Sequence, residues 1–207
     1  MHENEYSPHP VASDVTAFIL TGGKSTRMGQ DKATLRLPSG ITLLEHALAT
    51  CGAVASQVGI VGLRNRYGAY AWAGEIVEEI YQDRGPLGGI HAALSISRTE
   101  RNLVLAVDLP GITSELLRWL IGESARSGKM ITVPNVGNQQ QPLCAVYRRN
   151  FLAVAEQAIL AGRNKVNGCF PPEETRVISE SELTASGFPP GMFSNVNTPE
   201  EFASFGR

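Results

Sequence analysis

Short runs of branched apolar residues, each followed by an amphipathic stretch, limit what this chain can fold into more than any other feature. Val15-Thr16-Ala17-Phe18-Ile19-Leu20, Val58-Gly59-Ile60-Val61, Ile76-Val77, Leu103-Val104-Leu105-Ala106-Val107 and Met130-Ile131-Thr132-Val133 read as strands. Between them, Leu43, Leu44, Ala47, Leu48 and Cys51 recur at helical spacing, and Thr42 with Glu45 forms a T-x-x-E capping box that starts the helix. Leu116, Leu117, Leu120 and Ile121 make a second apolar stripe after Thr113 and Ser114, with Glu115 in the first turn where the helix dipole favours negative charge. A further helix is expected to begin near Ile90, and another at Thr198-Pro199-Glu200-Glu201, with Thr as N-cap and Pro at the first helical position. Strands that are apolar throughout, rather than alternating with polar residues, are buried on both faces. The fold class expected is therefore α/β, a Rossmann-like three-layer sandwich with a mostly parallel central sheet. With 207 residues, 43% of them apolar, the chain supports one core. Residues 1–14, polar and carrying two prolines, read as a flexible tail before a single domain at 15–207.

Charge and cysteine usage narrow the ligand. A net charge of −2 supplies no long-range field for nucleic acid or an anionic membrane, so phosphate recognition has to be local to a site. No window approaches 18 consecutive apolar residues, and the first residues lack the basic start and apolar stretch of a secretory signal. Three widely spaced cysteines, Cys51, Cys144 and Cys169, match neither a disulfide framework nor a C-x-x-C metal site. A reducing, cytoplasmic compartment is the expectation.

Open parallel sheets bind ligands at the carboxyl ends of their strands. The loops leaving Leu20 and Val107 both start there, so they are expected to converge although far apart in the chain. The first, Leu20-Thr21-Gly22-Gly23-Lys24-Ser25-Thr26-Arg27-Met28-Gly29-Gln30-Asp31-Lys32, packs three glycines and three cations into thirteen residues. Glycines let backbone N–H groups approach an anion, and Arg and Lys neutralise a polyphosphate. The G-K-S triplet is no P-loop, because the first glycine of that motif would fall on Phe18 inside the strand, and no G-x-G-x-x-G threads the loop either. The competing reading is a plain basic surface loop. In the second loop, Asp108 closes an apolar strand ahead of Leu109-Pro110, a place suited to a hard cation held by few protein ligands, and equally to a simple turn. Asp83-Arg84-Gly85-Pro86-Leu87-Gly88-Gly89-Ile90 combines a forced turn with a close-approach glycine pair.

The thirteen-residue loop resembles the signature of the molybdenum cofactor guanylyltransferase family, commonly L-A-G-G-x-S-x-R-M-G-x-D-K, within the nucleoside triphosphate nucleotidyltransferases whose fold is that of the nucleotide-diphospho-sugar transferases. Further similarity lies in Asp83…Gly85-Pro86-Leu87, Asp108-Leu109-Pro110, Gln141-Pro142-Leu143-Cys144-Ala145-Val146-Tyr147 and Asn195-Val196-Asn197-Thr198-Pro199-Glu200-Glu201. The resemblance implies a Mg²⁺-dependent transfer of GMP from GTP to molybdopterin. It places Arg27, Lys32 and Asp108 in catalysis, Asp108 on the metal, and Leu20, Thr21, Gly22, Gly23, Lys32, Asp83 and Asp108 on GTP. Asn195 and Asn197 fall on the acceptor side, where caps and turns are the alternative reading. It also implies contact with other cofactor-biosynthesis proteins and with recipient molybdoenzymes or their chaperones. Three positions depart from the family pattern: Thr21 stands for Ala, Gln141 for His, and Val61-Gly62-Leu63 where some relatives carry an Asn that touches guanine. Neither His46 nor His91 is expected to act as a base. Sister enzymes using CTP with the same pterin, or an NTP with a sugar phosphate, stay open, as does a GTP sensor or cofactor carrier.

Overall fold

A computed structural model describes residues 12–22 and 31–195 of the chain. Strands β1 (Ala12–Leu20), β2 (Ala55–Val61), β3 (Glu75–Val77), β4 (Arg101–Ala106), β5 (Ile131–Val136), β6 (Gln139–Gln140), β7 (Cys144–Arg148) and β8 (Thr175–Ile178) form one sheet. Its order is β3-β2-β1-β4-β7-β5-β6, with β8 also paired to β5. The β3-β2-β1-β4 half is parallel. β7 runs antiparallel between β4 and β5, and β8 is parallel to β5. β1 begins at Ala12, so Ala12, Ser13 and Asp14, assigned to the tail from sequence, belong to the sheet, and Asp14 is ion-paired with Arg101.

The α-helices are α1 (Leu43–Gly52), α2 (Arg64–Tyr67), α3 (Pro86–Ile96), α4 (Ser114–Ser127), α5 (Phe151–Leu160) and α6 (Glu180–Ala185), among the described residues. Side-chain alternation along β1 sorts them into two layers. Val15, Ala17 and Ile19 face a core built with Leu43, Leu44 and Leu48 of α1, Leu116, Leu117 and Leu120 of α4, and Leu183 of α6. Phe18 and Leu20 face the other core, with Leu87, Ile90 and Leu94 of α3 and Phe151, Ala155 and Ile159 of α5. Each of these fully buried large side chains contributes roughly 1.5–3 kcal/mol by leaving water. That is the three-layer sandwich the apolar strands call for.

Local signals set most helix ends. Thr42 and Glu45 form both bonds of the capping box, Glu45 N donating to Thr42 Oγ1 at 3.1 Å and Thr42 N to Glu45 Oε2 at 2.7 Å. Thr113 caps α4, and Gly128 closes it in the left-handed region. α3 starts at Pro86, four residues before the Ile90 expected from sequence. Gly85, with φ 59°, supplies the turn that a side chain would resist, and Pro86 then sits at a helical position where its missing N–H costs nothing. The helix expected after Thr198 lies outside the described residues. Because β2 and β3 lie on one side of β1 and β4 on the other, the carboxyl ends of β1 and β4 form the switch point at which open α/β sheets take ligands.

Candidate functional site

The exit from β1 is clamped on both sides. Val107 N donates to Leu20 O at 3.1 Å, while Thr21 N and Thr21 Oγ1 both donate to Val61 O, at 3.1 and 2.8 Å. The hydroxyl of Thr21 is thus spent on β2, which is how a threonine is accommodated where relatives of the motif carry alanine. Beyond Gly22 the chain is next described at Asp31. There Asp31 caps the 3-10 turn Lys32–Thr34, its Oδ1 accepting from Ala33 N at 3.1 Å, and its Oδ2 accepts from Tyr67 Oη at 2.7 Å. Both carboxylate oxygens therefore hold the turn that presents Lys32. Tyr67 lies close over Gly62, where a Cβ would fall 2.6 Å from its ring. Burial, the largest influence, pushes the Tyr67 phenol up to about 12, so it stays a proton donor to Asp31.

Lys32 Nζ reaches Asp108 Oδ2 at 3.5 Å, each side chain 23% exposed. The two loops expected to converge do so at this pair. Asp108 follows β4 by one residue beyond Val107, and the turn Asp108-Leu109-Pro110-Gly111 leads toward α4. A hard carboxylate oxygen, partly exposed at the switch point beside a lysine, is chemically suited to a divalent cation that takes its other ligands from phosphate oxygens and water. No cluster of three or more His, Cys, Asp or Glu residues that could hold a metal occurs among the described residues. Asp108 is thus not part of such a cluster.

Beside Gly22 lies Glu79, two residues past β3. A Cβ on Gly22 would sit 3.9 Å from Glu79 Oε1, one on Gly89 3.6 Å from the same oxygen, and one on Gly88 3.0 Å from Oε2. The Gly88-Gly89 pair therefore leaves room for a carboxylate over the first turn of α3. Burial, then the charge of Asp83, raises the Glu79 carboxyl above its usual range. Asp83 itself is exposed and has φ 58°, a conformation Asp tolerates better than most residues. Turn geometry thus accounts for an Asp at this position. Asn195 is exposed just after the 3-10 turn Pro190–Phe193. Gly23, Arg27 and Asn197 lie outside the described residues.

The comparisons with known proteins agree on one family. The family model of the MobA-like NTP transferase domain matches residues 17–169. The chain belongs to this family. It is 34% identical to a probable molybdenum cofactor guanylyltransferase of Pelotomaculum thermopropionicum, covering 90% of this chain and 89% of that one. It is also 34% identical to a protein of the same description from Flavobacterium johnsoniae, over 90% and 94% of the two chains. Among solved structures, molybdopterin-guanine dinucleotide biosynthesis protein A of Archaeoglobus fulgidus superposes with a TM-score of 0.76 at 25% identity, covering 91% and 95%. A 4-diphosphocytidyl-2C-methyl-D-erythritol synthase of Anaerococcus prevotii, 14% identical with a TM-score of 0.66 over 93% and 94%, shares the fold.

Within this MobA-like domain, the departures noted in the sequence take physical form. Gly62 cannot carry a longer side chain, since a Cβ there would fall 2.3 Å from Thr21 Oγ1, and Leu63 is 45% exposed at the start of α2. Gln141 donates from Nε2 to Gln139 O at 3.2 Å, and its backbone N–H to Pro134 O at 2.8 Å. Glu79 and Tyr67 were not singled out by sequence reasoning. The available signal for Glu79 was its place just past the carboxyl end of a strand; nothing local marked Tyr67, whose bond to Asp31 spans 36 positions. His91 is buried, with Nε2 3.9 Å from Glu156 Oε1 and its ring edge-on to Tyr81 at 5.0 Å. All three cysteines are free and buried, and burial pushes the Cys51 thiol up to about 12.

Proposed function

We propose that this MobA-like protein transfers GMP from GTP to the terminal phosphate of molybdopterin, releasing pyrophosphate and forming the guanine dinucleotide cofactor. The observation that carries this reading is the meeting of Lys32 and Asp108 beside Gly22 at the β1/β4 switch point, in a chain with guanylyltransferase relatives. The acceptor phosphate is already an anion near neutral pH, so the reaction needs positioning and charge neutralisation, not a dedicated base. Lys32, with Arg27, would offset charge on the triphosphate, and the Leu20-Thr21-Gly22-Gly23 backbone would cradle it. Asp108 would hold Mg²⁺, which when bound neutralises charge across the phosphates. Glu79, beside Gly22, would meet the nucleoside, and Asp83 follows four residues later. Asn195 and Asn197 would serve the acceptor. The product would pass to recipient molybdoenzymes or their chaperones, and other cofactor-biosynthesis proteins would make transient contact.

The test is direct. Purified protein with Mg²⁺ and molybdopterin should release pyrophosphate fastest with GTP. Faster release with CTP, or transfer to a sugar phosphate instead, would overturn the guanylyl assignment in favour of a sister transferase. GTP binding without pyrophosphate release would identify a sensor or carrier. No helix among the described residues is long and apolar enough to cross a membrane, and a cytoplasmic site of action is part of this proposal.

A further inference from the structure

The turn that carries Asp108 is fastened at two points by groups that have no part in the chemistry. On one side, His46 of α1 brings Nε2 to 3.0 Å from the carbonyl oxygen of Pro110. A carbonyl can only accept, so the ring proton resides on Nε2, and the bond persists whether or not Nδ1 also binds a proton. α1 is itself held by its capping box and its buried apolar face.

On the other side, Gly111 abuts the backbone of Met192. A Cβ at position 111 would lie 2.7 Å from Met192 O, 3.1 Å from its Cα and 3.2 Å from its carbonyl carbon. Backbone packed on backbone at that distance admits only a hydrogen. Met192 belongs to the 3-10 turn Pro190–Phe193, which buried Phe193 pins to the core, and the exposed Asn195 follows directly. A continuous line of contact therefore runs from α1 through Pro110 and Gly111 to Met192, with Asp108 two residues before Pro110 and Asn195 three residues after Met192.

We propose that His46 and Gly111 are positioning residues that set the acceptor-side segment around Asn195 against Asp108. The identity of the acceptor rests on the function proposed above. In-line transfer requires reacting atoms held about 3–3.5 Å apart, and a misplacement of about 1 Å costs on the order of 10²-fold in rate. Alanine at 111 must move the Met192 backbone, and with it the segment leading to Asn195. On the nucleotide side, Gly22 and Glu79 make no part of this contact, and Lys32 meets it only through Asp108.

The experiment uses the full-length protein as wild type, Gly111→Ala, His46→Phe and His46→Gln. In steady-state transfer from GTP to molybdopterin, Gly111→Ala is expected to lower kcat/KM for the acceptor by about 10- to 100-fold with KM for GTP within about twofold. His46→Phe should change the same parameter in the same direction but less, and His46→Gln, whose amide can donate to Pro110 O, should recover most of the loss. Hydrogen exchange read without any acceptor should accelerate at the amides of Met192 and Ser194, bonded to Pro189 O and Gly191 O, in Gly111→Ala and His46→Phe. A parallel rise of KM for GTP, or wild-type acceptor kinetics together with unchanged exchange, would overturn the proposal. Should the wild type fail to use molybdopterin, the functional reading falls, while the exchange measurement still decides the positioning role.

Discussion

The two ends of the central β1/β4 strand pair use polar groups in opposite ways. At the amino end, Thr16 N donates to Thr99 Oγ1 at 3.1 Å, and the two threonine hydroxyls bond at 2.9 Å. Ser97 Oγ donates to Asn102 Oδ1, and Asn102 Nδ2 is shared between Thr99 O at 3.3 Å and Tyr147 O at 3.4 Å. Asn102 is fully buried and Ser97 nearly so. Every member is neutral, and the network closes on itself. At the carboxyl end stand a lysine, an aspartate and a glutamate, partly exposed, with the Lys32–Asp108 contact as long as 3.5 Å and the Glu79 carboxyl raised by burial and by Asp83. A neutral network whose groups satisfy one another stabilises a fold; partly exposed charges at the strand ends are able to meet a charged ligand. The same two strands thus carry a structural polar cluster at one end and the candidate site at the other.

The sharpest way to break this contrast is to swap the expected consequences. Asp108→Ala and Lys32→Ala should each depress turnover by about 10²-fold or more, the usual cost of one electrostatic stabiliser, while leaving thermal unfolding close to wild type. Near-normal pyrophosphate release by either variant would remove that residue from the mechanism. Asn102→Ala should do the reverse. It removes the bonds of the Asn102 amide to Ser97 Oγ, Thr99 O and Tyr147 O and should cost about 1–3 kcal/mol in urea unfolding, with turnover per folded molecule unchanged.

Smaller effects follow from two titratable groups, one buried and one partly buried. Burial lowers the His91 pKa below its ordinary 6.5, and Glu156 opposes this more weakly. The unfolded chain then binds the proton first as pH falls, so stability declines as pH drops below about 6.5. His91→Phe should flatten that decline in urea melts between pH 7 and pH 5, and Glu156→Gln should steepen it. Glu79 has the opposite sign. Its carboxyl is raised above the ordinary 4.5, so the unfolded chain releases its proton first and stability falls as pH rises from about 4.5 to the raised value. Glu79→Gln should abolish that slope and, if Glu79 meets the nucleoside, also raise KM for GTP. A slope that survives the substitution would mean that other groups dominate this window.

Local physics made much of the architecture legible. The Thr42 and Glu45 capping box, the Thr113 cap and the five apolar runs all depend on neighbours a few residues away, and the elements they define are present. Where the expectation shifted, as with α3 starting at Pro86, a glycine φ decided it, and φ is a property of the folded turn. The antiparallel insertion of β7 between β4 and β5 had no local mark at all, because strand order depends on which edges meet.

The candidate site divides in the same manner. The amino-acid sequence by itself determined the family, the strand ends from which the two loops leave, and Lys32 and Asp108 as candidate residues, because glycines, cations and a strand-terminal acid follow one another at short spacing. Only the tertiary structure decided that Lys32 points at Asp108, that Asp31 and Tyr67 hold the turn presenting it, that Glu79 shares the space beside Gly22 with the α3 glycines, and that Gly111 rests on Met192. Each of those is a contact between segments distant in the chain, and such contacts are selected by the register of the sheet and the closeness of packed backbones, which no short stretch of residues encodes.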